Sequence, residues 1–193
     1  VHICDISKQA LADCATAHPD WGITDCDVSQ EAQVAQLFEE VSRQMGGLDV
    51  LINNAGIAGQ TGGIEELSSD KWRQTIDINL NGQFYCARLA VPMLKQSDNA
   101  SIICLSSVAG RLGYAYRTPY AVTKWAIIGL IKSLAIELGP QGIRVNALLP
   151  GIVEGPRIEQ VISARAKTVG VSYEEMEQEY INKVSLRKMV TAQ

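Results

Sequence analysis

The stretch LDVLINNAG, residues 48–56, joins an apolar run to a turn of Asn and Gly. Its apolar residues are consecutive, as expected of a strand that is buried on both faces of a parallel sheet. Helical patterns separate four further stretches of this kind: VHICD (1–5), WGITDCDV (21–28), ASIICLSS (100–107) and GIRVNALLP (142–150). This alternation predicts an α/β fold, a doubly wound parallel sheet with helices on both faces.

Local signals predict where the helices begin and end. Ser7 and Ser29 are suitable N-caps for the first two helices, and Gly46-Gly47 ends the second one. Pro92 is expected to bend a later helix, because proline lacks a backbone N–H. The acidic segment YEEMEQEY (173–180) continues the helical pattern beyond the last strand.

Composition excludes several classes of protein. The 193 residues suit one domain, expected over residues 1–193. A net charge of −4 without a basic run gives no reason to expect a nucleic-acid or membrane partner, and no stretch is long and apolar enough to span a bilayer. Five cysteines without a C-x-x-C motif, beside only two histidines, predict reduced thiols and no metal site. We expect a cytoplasmic protein.

Polar residues and glycines gather where the predicted strands end. In parallel sheets ligands bind beyond the carboxyl ends of the strands, so these residues should share one rim. They are Asp5, Asp27, Asn53 to Gly56, Ser106-Ser107 and Pro150-Gly151. The rim is therefore the predicted ligand-binding edge.

Tyr120 and Lys124 stand four residues apart at the head of the apolar stretch TPYAVTKWAIIGL (118–130). Residues at this spacing share one face of a helix. Of the six tyrosines only Tyr120 has a lysine four residues on. Taken alone the pair is weak evidence, since a packed ring and a solvated amine can occur at this spacing on any helix.

Five motifs together resemble the short-chain dehydrogenase/reductase family. They occur in the family's order and at suitable distances along nearly the whole chain: NNAG (53–56), the first Asn of DINLNG (77–82), SS (106–107), YAVTK (120–124) and PG (150–151). The resemblance implies a Rossmann-type sheet, a nicotinamide cofactor and transfer of a hydride to or from a substrate carbon.

The resemblance also implies catalytic roles for four residues. Tyr120 would be the general acid/base on the substrate oxygen, and a phenol with a pKa of about 10 needs a nearby cation such as Lys124 to ionise near neutral pH. Lys124 would also hydrogen-bond the cofactor ribose. Ser107 would donate a hydrogen bond to the substrate oxygen, and Asn79 would hold a helix kink and a relay water behind Lys124.

Two of these assignments have neighbouring competitors. Ser106 adjoins Ser107, and the thirteen-residue spacing to Tyr120 favours Ser107. A serine there could also simply open a turn. Asn81 lies close to Asn79 and either side chain could cap a local turn, while the family match prefers Asn79.

The cofactor is expected to be NAD rather than NADP. Asp5 ends the first predicted strand, where an acidic side chain would bind the adenosine ribose hydroxyls and repel a 2′-phosphate. The alternative is that Asp5 only caps the following helix. The resemblance adds an adenine contact from Asp27-Val28.

Two further segments are matched to the cofactor by resemblance. Asn54-Ala55-Gly56 would lie along the adenosine ribose, with Gly56 allowing close backbone approach. The backbone of Ile152 would meet the nicotinamide carboxamide. The family usually has Thr four residues after the glycine of the PG motif, where this chain has Gly155, so one side-chain hydrogen bond to the carboxamide is expected to be lost.

Two parts of the family fold have no counterpart in the sequence. The phosphate-binding T-G-x-x-x-G-x-G cluster with its first strand is not found, and neither is the last strand of the family's sheet. We therefore expect an incomplete sheet from a longer polypeptide. In the family's strand order the first strand lies between VHICD and LDVLINN, which predicts two sheet segments separated by a one-strand gap faced by Asp5 and Gly56.

The expected function is hydride transfer between NAD and a secondary alcohol or ketone, with Ser107 and Tyr120 binding the substrate. The alternatives are an NADPH-dependent 3-oxoacyl-[acyl-carrier-protein] reductase and a non-catalytic nucleotide-binding protein of the same fold. The helices over roughly 80–97 and 120–138 are expected to pair between subunits, as in the family's homodimers and homotetramers. The identity of the substrate does not follow from the sequence.

Overall fold

A computed structural model describes residues 1–191. Five strands alternate with helices along the chain. The strands are β1 His2–Asp5, β2 Gly22–Asp25, β3 Val50–Asn53, β4 Ser101–Leu105 and β5 Arg144–Leu148. The helices are α1 Lys8–Ala17, α2 Glu31–Met45, α3 Ser69–Ile76, α4 Gly82–Leu94, α5 Thr118–Leu138, α6 Pro156–Val169 and α7 Tyr173–Asn182. The α/β class is confirmed, and each predicted strand exists, with narrower bounds than the apolar runs.

All strand pairs are parallel, and they form two separate sheets. β1 pairs with β2 in one sheet, while β3, β4 and β5 form the other in that order. No ladder joins β1 to β3 within the described residues, and a cleft of about 710 Å³ lies between these two strands. The predicted separation into two sheet segments is confirmed.

The largest core cluster joins the helices to both sheets. α2 packs against α4, α4 packs against β3 and β4, and α5 packs against β5. Val34 of α2, Ile102 of β4 and Ile127 of α5 are fully buried there. A second, smaller cluster joins α6 and α7 to residues near the ends of β3 and β5. This second cluster forms one wall above the rim where the strands end.

The ends of the first two helices show which capping predictions hold. Ser7 caps α1 by accepting a hydrogen bond from the Ala10 N–H, and Gly46 ends α2 with a φ of 68°. The prediction that Ser29 caps α2 is wrong. The helix begins one residue later, after Gln30, because the Ser29 hydroxyl donates to Asp27 instead (2.7 Å).

The irregular turn that positions the site lies before α4. Pro92 sits inside α4, whereas Asp77–Asn81 forms a π-helical turn between α3 and α4. Such turns occur mostly within α-helices and often at functional sites. Among residues 1–191, no helix has both the length and the apolar character needed to cross a membrane.

Candidate active site

A cavity of about 380 Å³ lies at the carboxyl ends of β3, β4 and β5. The segments that follow these strands line it, together with the beginnings of α5 and α6. Six of the residues predicted from the sequence border this cavity: Asn54, Gly56, Ser107, Tyr120, Lys124 and Ile152. The fold therefore brings together side chains that are up to about a hundred positions apart in the chain.

Lys124 is held in place by the backbone of the neighbouring strand. Its side chain is buried, and its Nζ donates a hydrogen bond to the Leu105 carbonyl (2.7 Å) and lies 5.5 Å from the centre of the Tyr120 ring. Burial, with a smaller contribution from the positive charge of Arg157, lowers the pKa of Lys124 to about 8. The lysine is thus positioned to act on the same space as the phenol.

The two serines after β4 have different partners. The Ser106 hydroxyl donates to the Lys124 carbonyl (2.8 Å), which ties the strand end to α5. Ser107 begins a short 3₁₀ turn, and its hydroxyl accepts a hydrogen bond from the Ala109 N–H (3.2 Å). Since an accepting hydroxyl still has its own proton to donate, Ser107 retains a donor at the edge of the cavity.

Asn79 lies in the π-helical turn and connects that turn to the segment at Ile57 and to α5. It is fully buried, its Oδ1 accepts from the Ile57 N–H (2.7 Å), and its Nδ2 donates to the Ile57 carbonyl (3.0 Å) and to the Thr123 hydroxyl (3.2 Å). Asn81 instead donates to Asp77 within its own turn (2.8 Å). Of the two asparagines, Asn79 is therefore the one that connects to α5.

Gly56 lies between Asn79 and Lys124. A Cβ at this position would lie 3.1 Å from Asn79 Oδ1 and 3.8 Å from Lys124 Nζ. Glycine is therefore needed for the approach of these side chains. The prediction that Gly56 faces the gap between the sheets is wrong, because it borders the second cavity instead.

Four of the residues matched to the cofactor border the cleft between the sheets: Asp5, Val28, Asn54 and Ala55. Asn54 borders both spaces, so the cleft and the cavity meet at this residue. The Asp5 carboxylate accepts from the Ser7 N–H (2.8 Å) through one oxygen. Asp27 borders neither space, and its carboxylate accepts both the N–H and the hydroxyl of Ser29.

The donor set suits the two ends of a dinucleotide. A carboxylate at Asp5 borders the cleft and matches a ribose diol, while the ammonium of Lys124 and the backbone of Gly56 border the cavity, where they offer a hydrogen-bond donor and room for close approach. Gly155 has a φ of 136°, a conformation that threonine rarely adopts, so the family's threonine contact has no equivalent at this position. No group of His, Cys, Asp or Glu within residues 1–191 could hold a metal ion.

Sequence reasoning missed two arginines at the cavity. Arg117 is only 3% exposed, and its guanidinium carbon lies 4.7 Å from the centre of the Tyr120 ring and 5.6 Å from that of Tyr114. Helical spacing could not have revealed it, because Arg117 precedes the first residue of α5, Thr118. Arg157, the second residue of α6, also borders the cavity.

Comparisons with known proteins agree with this geometry. A family model described as "Enoyl-(Acyl carrier protein) reductase" matches residues 1–191. The 3beta-hydroxysteroid dehydrogenase of Mediterraneibacter gnavus is 42% identical over 143 residues, which are 74% of this chain and 51% of that protein. The 2-dehydro-3-deoxy-L-rhamnonate dehydrogenase (NAD(+)) of a Sphingomonas species is 37% identical over 161 residues, which are 83% of this chain and 65% of that protein.

A solved structure has the same architecture. The crystal structure of an NAD⁺-bound xylitol dehydrogenase superposes with a TM-score of 0.93 at 26% identity, covering 98% of this chain and 76% of that one. The matched part of the chain thus spans about half to two thirds of the length of the two curated relatives. The chain belongs to the short-chain dehydrogenase/reductase family.

Proposed function

We propose that the protein is an oxidoreductase that transfers a hydride between NAD and a secondary alcohol or ketone. The observation that carries the proposal is the shared cavity of Ser107, Tyr120 and Lys124, with Asn79 directly behind it. These residues come from three elements, the end of β4, α5 and the π-helical turn, and a fold that only bound a nucleotide would have no need to gather them. The relatives named above are dehydrogenases of alcohols, which supports the same reaction class.

The proton moves through Tyr120. In the oxidation direction the Tyr120 phenolate accepts the hydroxyl proton of the substrate, and in reduction the phenol returns it. Ser107 donates a hydrogen bond to the same substrate oxygen, which stabilises the charge that develops there. The bound dinucleotide supplies the hydride acceptor or donor.

Lys124 supports this proton transfer through its charge. The ammonium lies 5.5 Å from the ring centre, close enough to act on the charge that develops at the phenol oxygen and the substrate oxygen during the transfer. Its hydrogen bond to Leu105 fixes the ammonium at this distance. Asn79 fixes the backbone around the lysine. It accepts a hydrogen bond from the Ile57 N–H and donates one to the hydroxyl of Thr123, the residue before Lys124.

NAD is proposed over NADP because of Asp5. One oxygen of its carboxylate accepts the Ser7 N–H, and the side chain borders the cleft at the end of β1. A negative charge there matches ribose hydroxyls and repels a 2′-phosphate. The name of the Sphingomonas relative specifies NAD⁺, which supports the same choice.

We also propose a homodimer or homotetramer that acts in the cytoplasm as one domain. Phe84 of α4 and Trp125 and Ile136 of α5 are large apolar side chains that are 45%, 50% and 81% exposed, as expected of helices that pair between subunits. All five cysteines are free thiols, as is typical of a reducing compartment.

The test is a substrate panel on the complete encoded polypeptide with NAD and NADP compared. Secondary alcohols, hydroxy acids, sterols and polyols are assayed by the appearance of reduced cofactor, and acyl thioesters by its disappearance. We expect oxidation of secondary alcohols with NAD. Binding of NAD without turnover of any alcohol or ketone would contradict the proposal, and turnover of acyl thioesters alone with NADPH would favour an acyl-carrier-protein reductase.

A further inference from the structure

The cavity at Tyr120 is positively charged, although the whole chain carries a net charge of −4. Three cationic side chains border it, Arg117, Lys124 and Arg157, and one carboxylate, Glu154. None of the three cations belongs to an ion pair within residues 1–191. Because low-dielectric walls concentrate such a field, the cavity attracts anions that the rest of the surface repels.

The start of α6 adds to this field. The helix begins at Pro156 on the wall of the cavity, and its N-cap, Gly155, has no side chain to satisfy the exposed N–H groups. The N-terminus of a helix of this length carries a partial positive charge and favours anionic groups. Arg157 lies in the first turn of α6, so its positive charge adds to the partial positive charge of the helix N-terminus.

Arg117 has unused hydrogen-bonding capacity in this wall. Its Nη2 donates to the Ala58 carbonyl (3.0 Å), whereas the buried Nε has no hydrogen-bond partner. A buried donor without a partner is costly and points to a group that completes it. The Nε of Arg165 also lacks a partner, but the guanidinium of Arg165 is paired with Glu179 (3.2 Å), whereas Arg117 has no carboxylate partner among residues 1–191.

Arg117 immediately precedes α5, whereas Lys124 lies within the helix, one turn after Tyr120. Both cations lie close to the Tyr120 ring, with the guanidinium carbon of Arg117 4.7 Å and the Nζ of Lys124 5.5 Å from the ring centre. Lys124 points to the strand end at Leu105, whereas Arg117 stacks on Tyr114, which packs against the α6–α7 cluster. The part of the cavity wall that contains Arg117 is therefore distinct from the part where Lys124 would contact the cofactor ribose.

We propose that the substrate is a hydroxy or keto acid whose carboxylate is held by Arg117 and Arg157 beside Tyr120. This proposal rests on the proposed dehydrogenase function. The planar guanidinium matches a carboxylate in geometry as well as in charge, and its hydrogen bonds orient the substrate carbon toward the phenol. Neutral alcohols of the same size lose this anchor. The alternative anion for these two arginines is the pyrophosphate of the dinucleotide.

The test compares acids with their uncharged amides in the complete encoded polypeptide. The probes are 3-hydroxybutanoate with 3-hydroxybutanamide, and 4-hydroxycyclohexanecarboxylate with its carboxamide. We expect kcat/KM for the preferred acid to exceed that for its amide by about tenfold or more, as one charged hydrogen bond implies. Arg157→Gln should bring the ratio within about threefold by raising KM for the acid, and Arg117→Lys should lower it while keeping the charge.

The matched control is Arg111→Gln, since Arg111 is exposed and does not border the cavity. This control should leave the ratio unchanged, and thermal melting should show that all three variants fold. Equal kcat/KM for acid and amide in the parent protein overturns the proposal. So does an unchanged ratio in Arg157→Gln with NADH bound about tenfold more weakly, which assigns the arginine to the pyrophosphate.

Calorimetry separates this proposal from the proposed function. If no alcohol is oxidised, the dehydrogenase proposal fails, and titration of acid and amide into the protein–NADH complex still decides the inference. Tighter binding of the acid that is lost in Arg157→Gln supports the anion site. Equal binding of acid and amide refutes it.

Discussion

Lys124 Nζ donates a hydrogen bond to the carbonyl oxygen of Leu105 at 2.7 Å. This contact fixes a buried ammonium at the end of β4, 5.5 Å from the centre of the Tyr120 ring. The position of the charge therefore depends on the sheet as well as on the helix that carries the lysine. Burial is also what lowers the pKa of this lysine.

The lowered pKa of Lys124 predicts a pH-dependent stability. Below about pH 8 the Lys124 amine is protonated in both the folded and the unfolded protein, so folding bears the full cost of burying its charge. Between about 8 and the ordinary value of 10.5 the folded protein loses the proton first, and stability rises with pH. Relative to Lys124→Met, the parent's free energy of unfolding should rise by about 3 kcal/mol across this window.

Urea unfolding of both proteins at pH 7, 9 and 10.5, without cofactor, measures this difference. Subtracting the variant removes the contributions of the other titrating groups. A difference that stays constant across the three pH values would show that Lys124 keeps its ordinary pKa in the folded protein.

Asp5→Ser is expected to shift preference toward NADP. The serine keeps an acceptor near the Ser7 N–H but removes the charge that repels a 2′-phosphate. The ratio of kcat/KM for NADP to that for NAD should rise, while Asp25→Ser, at the end of β2 and outside the cleft, should leave it unchanged. An unchanged ratio in both variants would make Asp5 a helix-capping residue only.

Asn79→Ala should destabilise the fold more than Asn81→Ala. The first change leaves the Ile57 N–H and carbonyl without partners, and an unsatisfied buried group costs about 1–3 kcal/mol. The second removes only a bond to Asp77 within the same turn, for a loss under about 1 kcal/mol. Chemical denaturation of both variants gives the comparison, and equal losses would contradict the connecting role of Asn79.

The exposed apolar side chains of α4 and α5 predict self-association. Ile136→Lys places a charge on this surface and should convert the oligomer to smaller species in sedimentation velocity. Ile64→Lys is the matched control, because Ile64 is 66% exposed and lies outside both helices. A parent protein that sediments as a monomer at all concentrations would exclude the interface.

The sequence was sufficient where the determining signal is local. The Ser7 cap depends on a contact three residues away, and the left-handed end of α2 at Gly46 follows from the glycine itself. The consecutive apolar residues of each strand are also a local pattern, and they predicted a parallel sheet. Strand order came from the family resemblance.

The sequence was insufficient where two local partners compete for one side chain and where distant residues meet. Ser29 has the right chemistry for a cap, but Asp27 accepts both of its donors. The partners of Asn79 and the gathering of Arg117 and Arg157 at one cavity depend on packing between elements far apart in the chain. No local pattern contains that information.

Tyr120→Phe tests the central claim most directly. Phenylalanine keeps the ring against Arg117 but has no proton to exchange with the substrate oxygen. The measurement is kcat for the best alcohol of the panel with NAD, beside the dissociation constant of NADH from nicotinamide fluorescence. We predict a loss of about 10²-fold or more in kcat with NADH binding nearly unchanged. Turnover within about threefold of the parent would contradict the assignment of Tyr120 as the acid/base.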